Sequence, residues 1–391
     1  MKTIHHLLAG VATTVALATI TACTDRSLAP TSPDAFTAAA ESRESESGSG
    51  GVYTMNNSPS GNAVIAFRRA PDGSLTPLGT FATGGTGTGG TIDPLQSQYA
   101  VLLNSSHRVL FAVNAGSDQL SAFRVRADAT LERVDIEESG GDMPVSLAAY
   151  GSLLYVLNAG NNTVSGFRVN PNGKLIAIRE STRSLSPGAA GASTIHFSAD
   201  GRWLIVTERV ANRIETFPVR KNGRLGDPVI TPSSGAVPFG FDVTPRNQPI
   251  ITEAMGAAPN GAVSSYRFAT GGALAVVTPS LNAQGMATCW LILTVEGRLA
   301  FVSNTLSNTI GALSVAENGA LELLDAAAGL TGEGSAPIDL DLAARDRFLY
   351  VLEGGSGNIG TFAVGEAGTL SARPDTPAGP PASGLQGLAA W

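Results

Sequence analysis

Seven polar residues recur at the ends of short apolar runs. They are Asn56 (VYTMN), Asn114 (LFAVN), Asn158 (LYVLN), Glu208 (LIVTE), Glu253 (PIITE), Asn304 (AFVSN) and Glu353 (LYVLE). Asn at such a place commonly caps the turn that follows by bonding nearby backbone groups. Glu is a poorer turn former, so Glu208, Glu253 and Glu353 stand out as carboxylates with another use. Glu253 lies in the least regular copy, ITEAMGAAPNGAVSSYRF, whose loop after the Glu is enlarged. Function tends to concentrate on loops of that kind. Oxygen ligands from Glu208, Glu253, Asn304 and Asp339 would also suit a hard cation such as calcium, the weaker alternative.

The histidines point to less. His107 falls in the turn SSHRVLF, and His196 sits in STIHFS, facing opposite to Ile195 and Phe197. That alternation makes His196 a hydrogen-bonded core or channel-wall residue rather than a catalytic base. No Ser–His–Asp candidate emerges from the sequence around either. The glycines of FATGGTGTGGTIDPLQ (81–96) lack a following Lys-Ser/Thr and a strand-to-helix context, so they do not form a phosphate loop.

The elements that position these residues form a repeat. The seven strand ends are spaced by 58, 44, 50, 45, 51 and 49 residues. After each comes an alternating strand (AVIAFRR, QLSAFRV, TVSGFRV, RIETFPV, AVSSYRF, TIGALSV, NIGTFAV), then a turn with a further strand, then a strand leading into the next copy. The 46 Gly and 22 Pro among 391 residues suit turn-dense β structure and oppose long helices. Four short strands per copy and seven copies give an all-β fold, a seven-bladed β-propeller of four antiparallel strands per blade. The chain enters on the second strand of a blade and ends on LQGLAAW, a first strand. The C-terminal strand should therefore pair with the N-terminal strands and close the ring. The seven strand ends, and the lead-ins Asp142–Pro144, Gly191–Ser193, Pro238–Gly240, Gln284–Met286, Pro337–Asp339 and Gly384–Gln386, should gather at one mouth of the central channel. The 81–96 loop reads as a flexible or disordered flap over it.

The propeller is expected over residues 51–391, preceded by an address and a tether. Residues 1–22 have a positive start, a short apolar core and small residues before Cys23, as in a secretory signal peptide. Ile20-Thr21-Ala22-Cys23 resembles the bacterial lipobox, which implies lipidation at Cys23 and, with Thr24 following, the outer membrane. Residues 23–50 are poor in large apolar groups and read as a disordered tether. The expected location is the bacterial cell envelope, as an outer-membrane lipoprotein facing the periplasm or cell surface, with the lipid its only membrane contact. With Cys23 acylated, Cys289 has no partner and reads as a buried small apolar residue. A net charge of −7 and no basic run exclude nucleic acid as a partner. A closed ring needs no second chain, so a monomer is expected, with a small molecule at the mouth.

Units such as STIHFSADGRWLIVTERVANRIETF, AFVSNTLSNTIGALSVAENGALELL and RFLYVLEGGSGNIGTFAVGEAGTL resemble the seven-bladed lactonase-like propellers, the family of 6-phosphogluconolactonase and carboxymuconate-cyclizing enzymes. The likeness spans residues 52–391. That family carries Pro-His-x-His before the strand that here reads STIHFS, where this chain has Ala190-Gly191-Ala192-Ser193. It carries Pro-Arg-His at the next blade, where this chain has Pro238-Phe239-Gly240. The acidic member of the family's Asn-Glu pair matches Glu253. The resemblance implies lactone hydrolysis or cyclisation, with Glu253 as general base and no cofactor, a divalent cation being the alternative. Glu208 and Arg209 complete the candidate catalytic set. Arg209, Arg213, the amides near Gly240 or a metal would stabilise the oxyanion. Phe239, Gly240, Phe241, Ser265, Tyr266, Trp290 and Asn304 would line a mouth more aromatic than the family's. Loss of the His and Arg groups favours a competing reading, a non-catalytic envelope propeller that binds a ligand or a protein. Export argues against 6-phosphogluconate metabolism in particular.

Overall fold

The computed structural model describes residues 48–391, so the expected signal peptide (1–22), Cys23 and nearly all of the expected tether (23–50) lie outside the described residues. The described chain forms seven antiparallel sheets with two short 3-10 turns. Their innermost strands are Val101–Leu103, Pro144–Tyr150, Ala192–Phe197, Pro238–Val243, Thr288–Leu293, Pro337–Ala343 and Gln386–Ala390. Each packs against the next around a closed ring, which makes the seven-bladed propeller. Blades two to seven begin at the first six of these strands in order. Blade one is composite: the last strand pairs antiparallel with Gly50–Met55, with Val52 opposite Ala390 and Met55 opposite Gln386. The first and last strands of the described chain thus close the ring, as the order of the repeats implies.

Burial follows position in the blade. Second strands such as VLFAVN (109–114) are buried along their whole length, because neighbouring sheets cover both faces. Outer strands such as LTPLGTFA (75–82) are half-buried or exposed throughout. In blade three the outer edge splits into Leu175–Ala177 and Arg183–Ser184. The ladder between innermost and second strands shifts register near the mouth in blades one and three to seven. Such a bulge bends the strand and re-aims its side chains.

Side chains stitch neighbouring blades together. Asp242 accepts from Leu293 N at 3.1 Å, and Asp341 accepts from Ala390 N at 2.7 Å. Burial pushes the Asp341 carboxyl up to about 7. Farther out, Tyr53 Oη donates to Ala129 O at 3.0 Å and Tyr350 Oη to Gly73 O at 2.7 Å. Gly73 has φ +87°, and a Cβ there would lie 2.5 Å from the Phe348 ring. Only glycine allows that turn to meet blade seven.

The 81–96 loop differs from its expected state as a flexible flap. Its end continues inward, and Leu95, Ser97, Gln98 and Tyr99 are buried. Ser97 Oγ donates to Val145 O (2.8 Å), Ser193 Oγ to Gln96 O (2.9 Å), Tyr99 Oη to Phe241 O (3.0 Å) and Gln98 Nε2 to Leu291 O (2.7 Å). Trp290 Nε1 and Gln386 Nε2 donate to Ser97 O at 2.9 and 3.3 Å. The segment 93–99 is therefore a hub bonded to blades one, three, four, five and six. Its backbone polar groups require such partners once they leave water.

Candidate functional site

The seven strand-end residues occupy one tier, facing the start of the innermost strands: Ala192 pairs with Glu208, Pro238 with Glu253, Thr288 with Asn304 and Pro337 with Glu353. All are buried except Asn56, which is half-buried. Their polar atoms turn back into the blades. Asn56 Oδ1 accepts from Ser58 N and Ala63 N at 3.1 and 3.0 Å. Asn304 accepts from Thr288 Oγ1 at 2.6 Å and donates to Thr309 Oγ1 at 3.1 Å.

The three glutamates behave similarly. Glu208 Oε1 pairs with Arg213 Nε at 2.8 Å, and Oε2 accepts from Ala190 N at 3.1 Å. Arg213 also holds Glu215 at 3.0 Å, so one guanidinium serves two buried carboxyls. Burial, and then the Glu208 carboxylate, push Glu215 up to about 7. Glu253 Oε1 accepts from Ser264 Oγ at 2.6 Å and Gly235 N at 2.8 Å. Its Oε2 has no partner and lies 2.2 Å from where a Cβ on residue 235 would sit. Glu353 Oε2 accepts from Ser356 Oγ at 2.7 Å, and burial pushes this acid up to about 7. These carboxyls tie down turns and have no accessible surface at the mouth.

What the mouth presents is different. Arg209, the residue after Glu208, is half-buried with its guanidinium carbon 5.9 Å from the centre of the Phe239 ring. Phe239 and Trp290 are themselves buried beneath it and meet edge to face at 5.0 Å. Arg209 Nε has no partner. Burial lowers the pKa of Arg209, and the nearby charge of Asp93 opposes that shift. Asp93 comes from the inserted loop, is half-buried, and accepts from Gln386 Nε2 at 3.3 Å. Burial pushes its carboxyl up to about 8, against the favourable charge of Arg209. Cys289, in range of both, is a buried free thiol whose pKa burial raises far above the usual range. It is inert packing.

The structure therefore brings Arg209, Phe239 and Trp290 together, and adds Asp93. It places Gly240 in the channel wall, where a Cβ would lie 2.3 Å from Gln98 Oε1, so this residue makes room for the hub. Ser265 and Tyr266 are fully buried on the third strand of blade five, with Ser265 Oγ accepting from Thr278 N and Tyr266 Oη from Ser234 N. Phe241 is core, and Asp339 has both oxygens on backbone amides of Leu340 and Leu388. Among the described residues no group of three His, Cys, Asp or Glu side chains has a metal-holding arrangement. His196 lines the channel, its Nδ1 2.7 Å from Phe197 O and its ring 5.2 Å from Tyr99. Asp93 escaped sequence reasoning. The one available signal was that 81–96 is longer than its counterparts and carries a single acid.

A family model described as a seven-bladed β-propeller lactonase matches residues 52–189 and 106–254, together more than half of the chain. No curated protein matches. Among solved structures, the periplasmic gluconolactonase of Pseudomonas aeruginosa is 19% identical, with a TM-score of 0.67 over 86% of this chain and 98% of that one. A protein from Lactobacillus plantarum is 17% identical, with a TM-score of 0.69 over 88% and 99%. A candidate 6-phosphogluconolactonase from Bacteroides uniformis is 18% identical, also with a TM-score of 0.69 over 88% and 99%. At these identities the likeness is one of fold.

Proposed function

The chain belongs to the seven-bladed β-propeller lactonase family, and from that premise we propose that it opens a lactone ring at the mouth of its channel. One observation carries this reading: a half-buried arginine with an unpartnered Nε, seated on an aromatic floor, within electrostatic range of an acid whose pKa is about 8. Lactone hydrolysis needs a base for water and a cation for the developing oxyanion. Ionised Asp93 takes a proton from water, whose oxygen adds to the lactone carbonyl carbon. The oxyanion forms against Arg209. It collapses with cleavage of the ring C–O bond, and the leaving alkoxide takes the proton from Asp93. A base with a pKa near the working pH suits both steps.

Phe239 and Trp290, both buried, pack behind Arg209 and back its guanidinium at the mouth. Glu253, matched to the family's acid, supports the mouth by fixing the 233–237 turn. We place the reaction outside the cytoplasm, with the chain exported and anchored through a lipid on Cys23, and the fold likeness to a periplasmic gluconolactonase supports that placement. A second reading is a non-catalytic envelope propeller that binds its ligand at the same mouth. The replaced motifs at Ala190–Ser193 and Pro238–Gly240 favour it. Acid release from a panel of sugar and alkyl lactones separates the two: turnover lost in Arg209→Met establishes the enzyme, and silence across the panel establishes the binder.

A further inference from the structure

The residue two places past each strand end is Ser58, Gly116, Gly160 and Gly355 on blades one, two, three and seven. On blades four, five and six it is Val210, Met255 and Leu306, which are 66%, 49% and 67% exposed. The matching strand registers put these three at equivalent places on the mouth face of adjacent blades. Their loops are held in the same way: Val210 N donates to Ala190 O and Leu306 N to Met286 O, each at 3.2 Å. Met286 and, beside Asp93, Ile92 are exposed as well. Single surface hydrophobes are ordinary, but three at equivalent places on adjacent blades, confined to one sector of a mouth, mark a binding surface. This arc begins at the residue after Arg209, so a cation stands at its edge.

We propose that the arc is a tail-binding subsite and that the mouth takes amphiphilic lactones bearing an alkyl or acyl chain. The ring lies at Arg209 and Asp93, and the tail runs along Val210, Met255 and Leu306. This rests on the lactone reading given above and names its substrate class. Charge complementarity supports the occupant, because ring opening releases a carboxylate beside the guanidinium while the tail stays on the arc. A hydroxyl-rich sugar lactone would leave the arc in water.

The test compares kcat/KM of the purified full chain for δ-hexalactone, δ-decalactone, δ-dodecalactone and glucono-δ-lactone, with calorimetric binding of decanoate and acetate alongside. Burial of a tail on an open surface should raise kcat/KM about twofold per added methylene, half of the full transfer effect in free energy. Met255→Ser with Leu306→Ser, both at exposed positions, should abolish that dependence, lowering kcat/KM for δ-dodecalactone far more than for δ-hexalactone. Turnover indifferent to tail length, or a tail dependence that the double variant keeps, overturns the subsite and leaves the lactonase standing. No turnover, with decanoate binding that the double variant loses, overturns the lactonase and supports the subsite. Binding to phosphatidylcholine vesicles that the double variant loses, with no response to decanoate, overturns the subsite in favour of a membrane contact.

Discussion

Gln98 reaches across the channel and donates from Nε2 to the carbonyl of Leu291 at 2.7 Å, joining residues 193 apart in sequence. Through this bond and its neighbours the inserted loop behaves as the hub of the ring. Gln98→Ala leaves a buried carbonyl without its donor, which costs about 1–3 kcal/mol. Calorimetry should show a lowered Tm. An unchanged Tm would mean that the loop only rests on the ring.

Gly240 gives the hub its space, since a Cβ there would meet Gln98 Oε1 at 2.3 Å and Cys289 O at 2.6 Å. Gly240→Ala should lower Tm as far as Gln98→Ala does. The double variant should be less destabilised than the sum of the two, because they disturb one contact. Additive losses would separate the two residues.

The last strand closes the ring, with Arg69 Nε donating to Trp391 O at 2.8 Å in a buried site. Deleting residues 386–391 strips blade one of its innermost strand, exposes the edge of Gly50–Met55 and takes away one of the Arg69 acceptors. The expected outcome is loss of the cooperative thermal transition seen by circular dichroism. A truncated chain that melts as the full one does would contradict the closure.

Several buried acids titrate above their ordinary range: Asp93 at about 8, and Glu215, Asp341 and Glu353 at about 7. Folding raises their proton affinity, so the folded state binds more protons than the unfolded chain at weakly acid pH. Their stabilisation is complete below the unfolded carboxyl pKa and is lost as pH rises through about 7 to 8. Tm should therefore fall between mildly acid and mildly alkaline buffer. Glu353→Gln, which resembles the protonated acid, should flatten part of that slope. A Tm that rises across this range would contradict the buried-acid account.

The fold was legible because it is written seven times. Each apolar run and its polar end set a strand and a turn locally, and the strand count fixed the closure. The ring of Asn and Glu was legible as a tier, but the use of Glu208 and Glu253 was not. Whether a carboxylate meets solvent or a backbone amide depends on the loop folded over it, such as Ser233–Val237 over Glu253. The hub was illegible for a related reason. Its bonds join side chains to backbone oxygens across five blades, the donor lying now in the hub and now in the blade, and no local pattern records them. Asp93 takes its character from that burial. Arg209, Phe239 and Trp290 were found because they are chemically conspicuous beside strand ends already identified.

The central claim is that Arg209 and Asp93 act together on a lactone, and the direct measurement is kcat/KM against pH for the full chain, Arg209→Met, Asp93→Asn and Glu253→Gln. Because Asp93 acts as a base, the full chain should rise with pH and level off above about 8. Removing the cation should cost about a hundredfold or more, Asp93→Asn should remove the rise, and Glu253→Gln should retain both rate and profile. Activity that survives Arg209→Met and Asp93→Asn but is lost in Glu253→Gln would contradict the account and return the base to blade five.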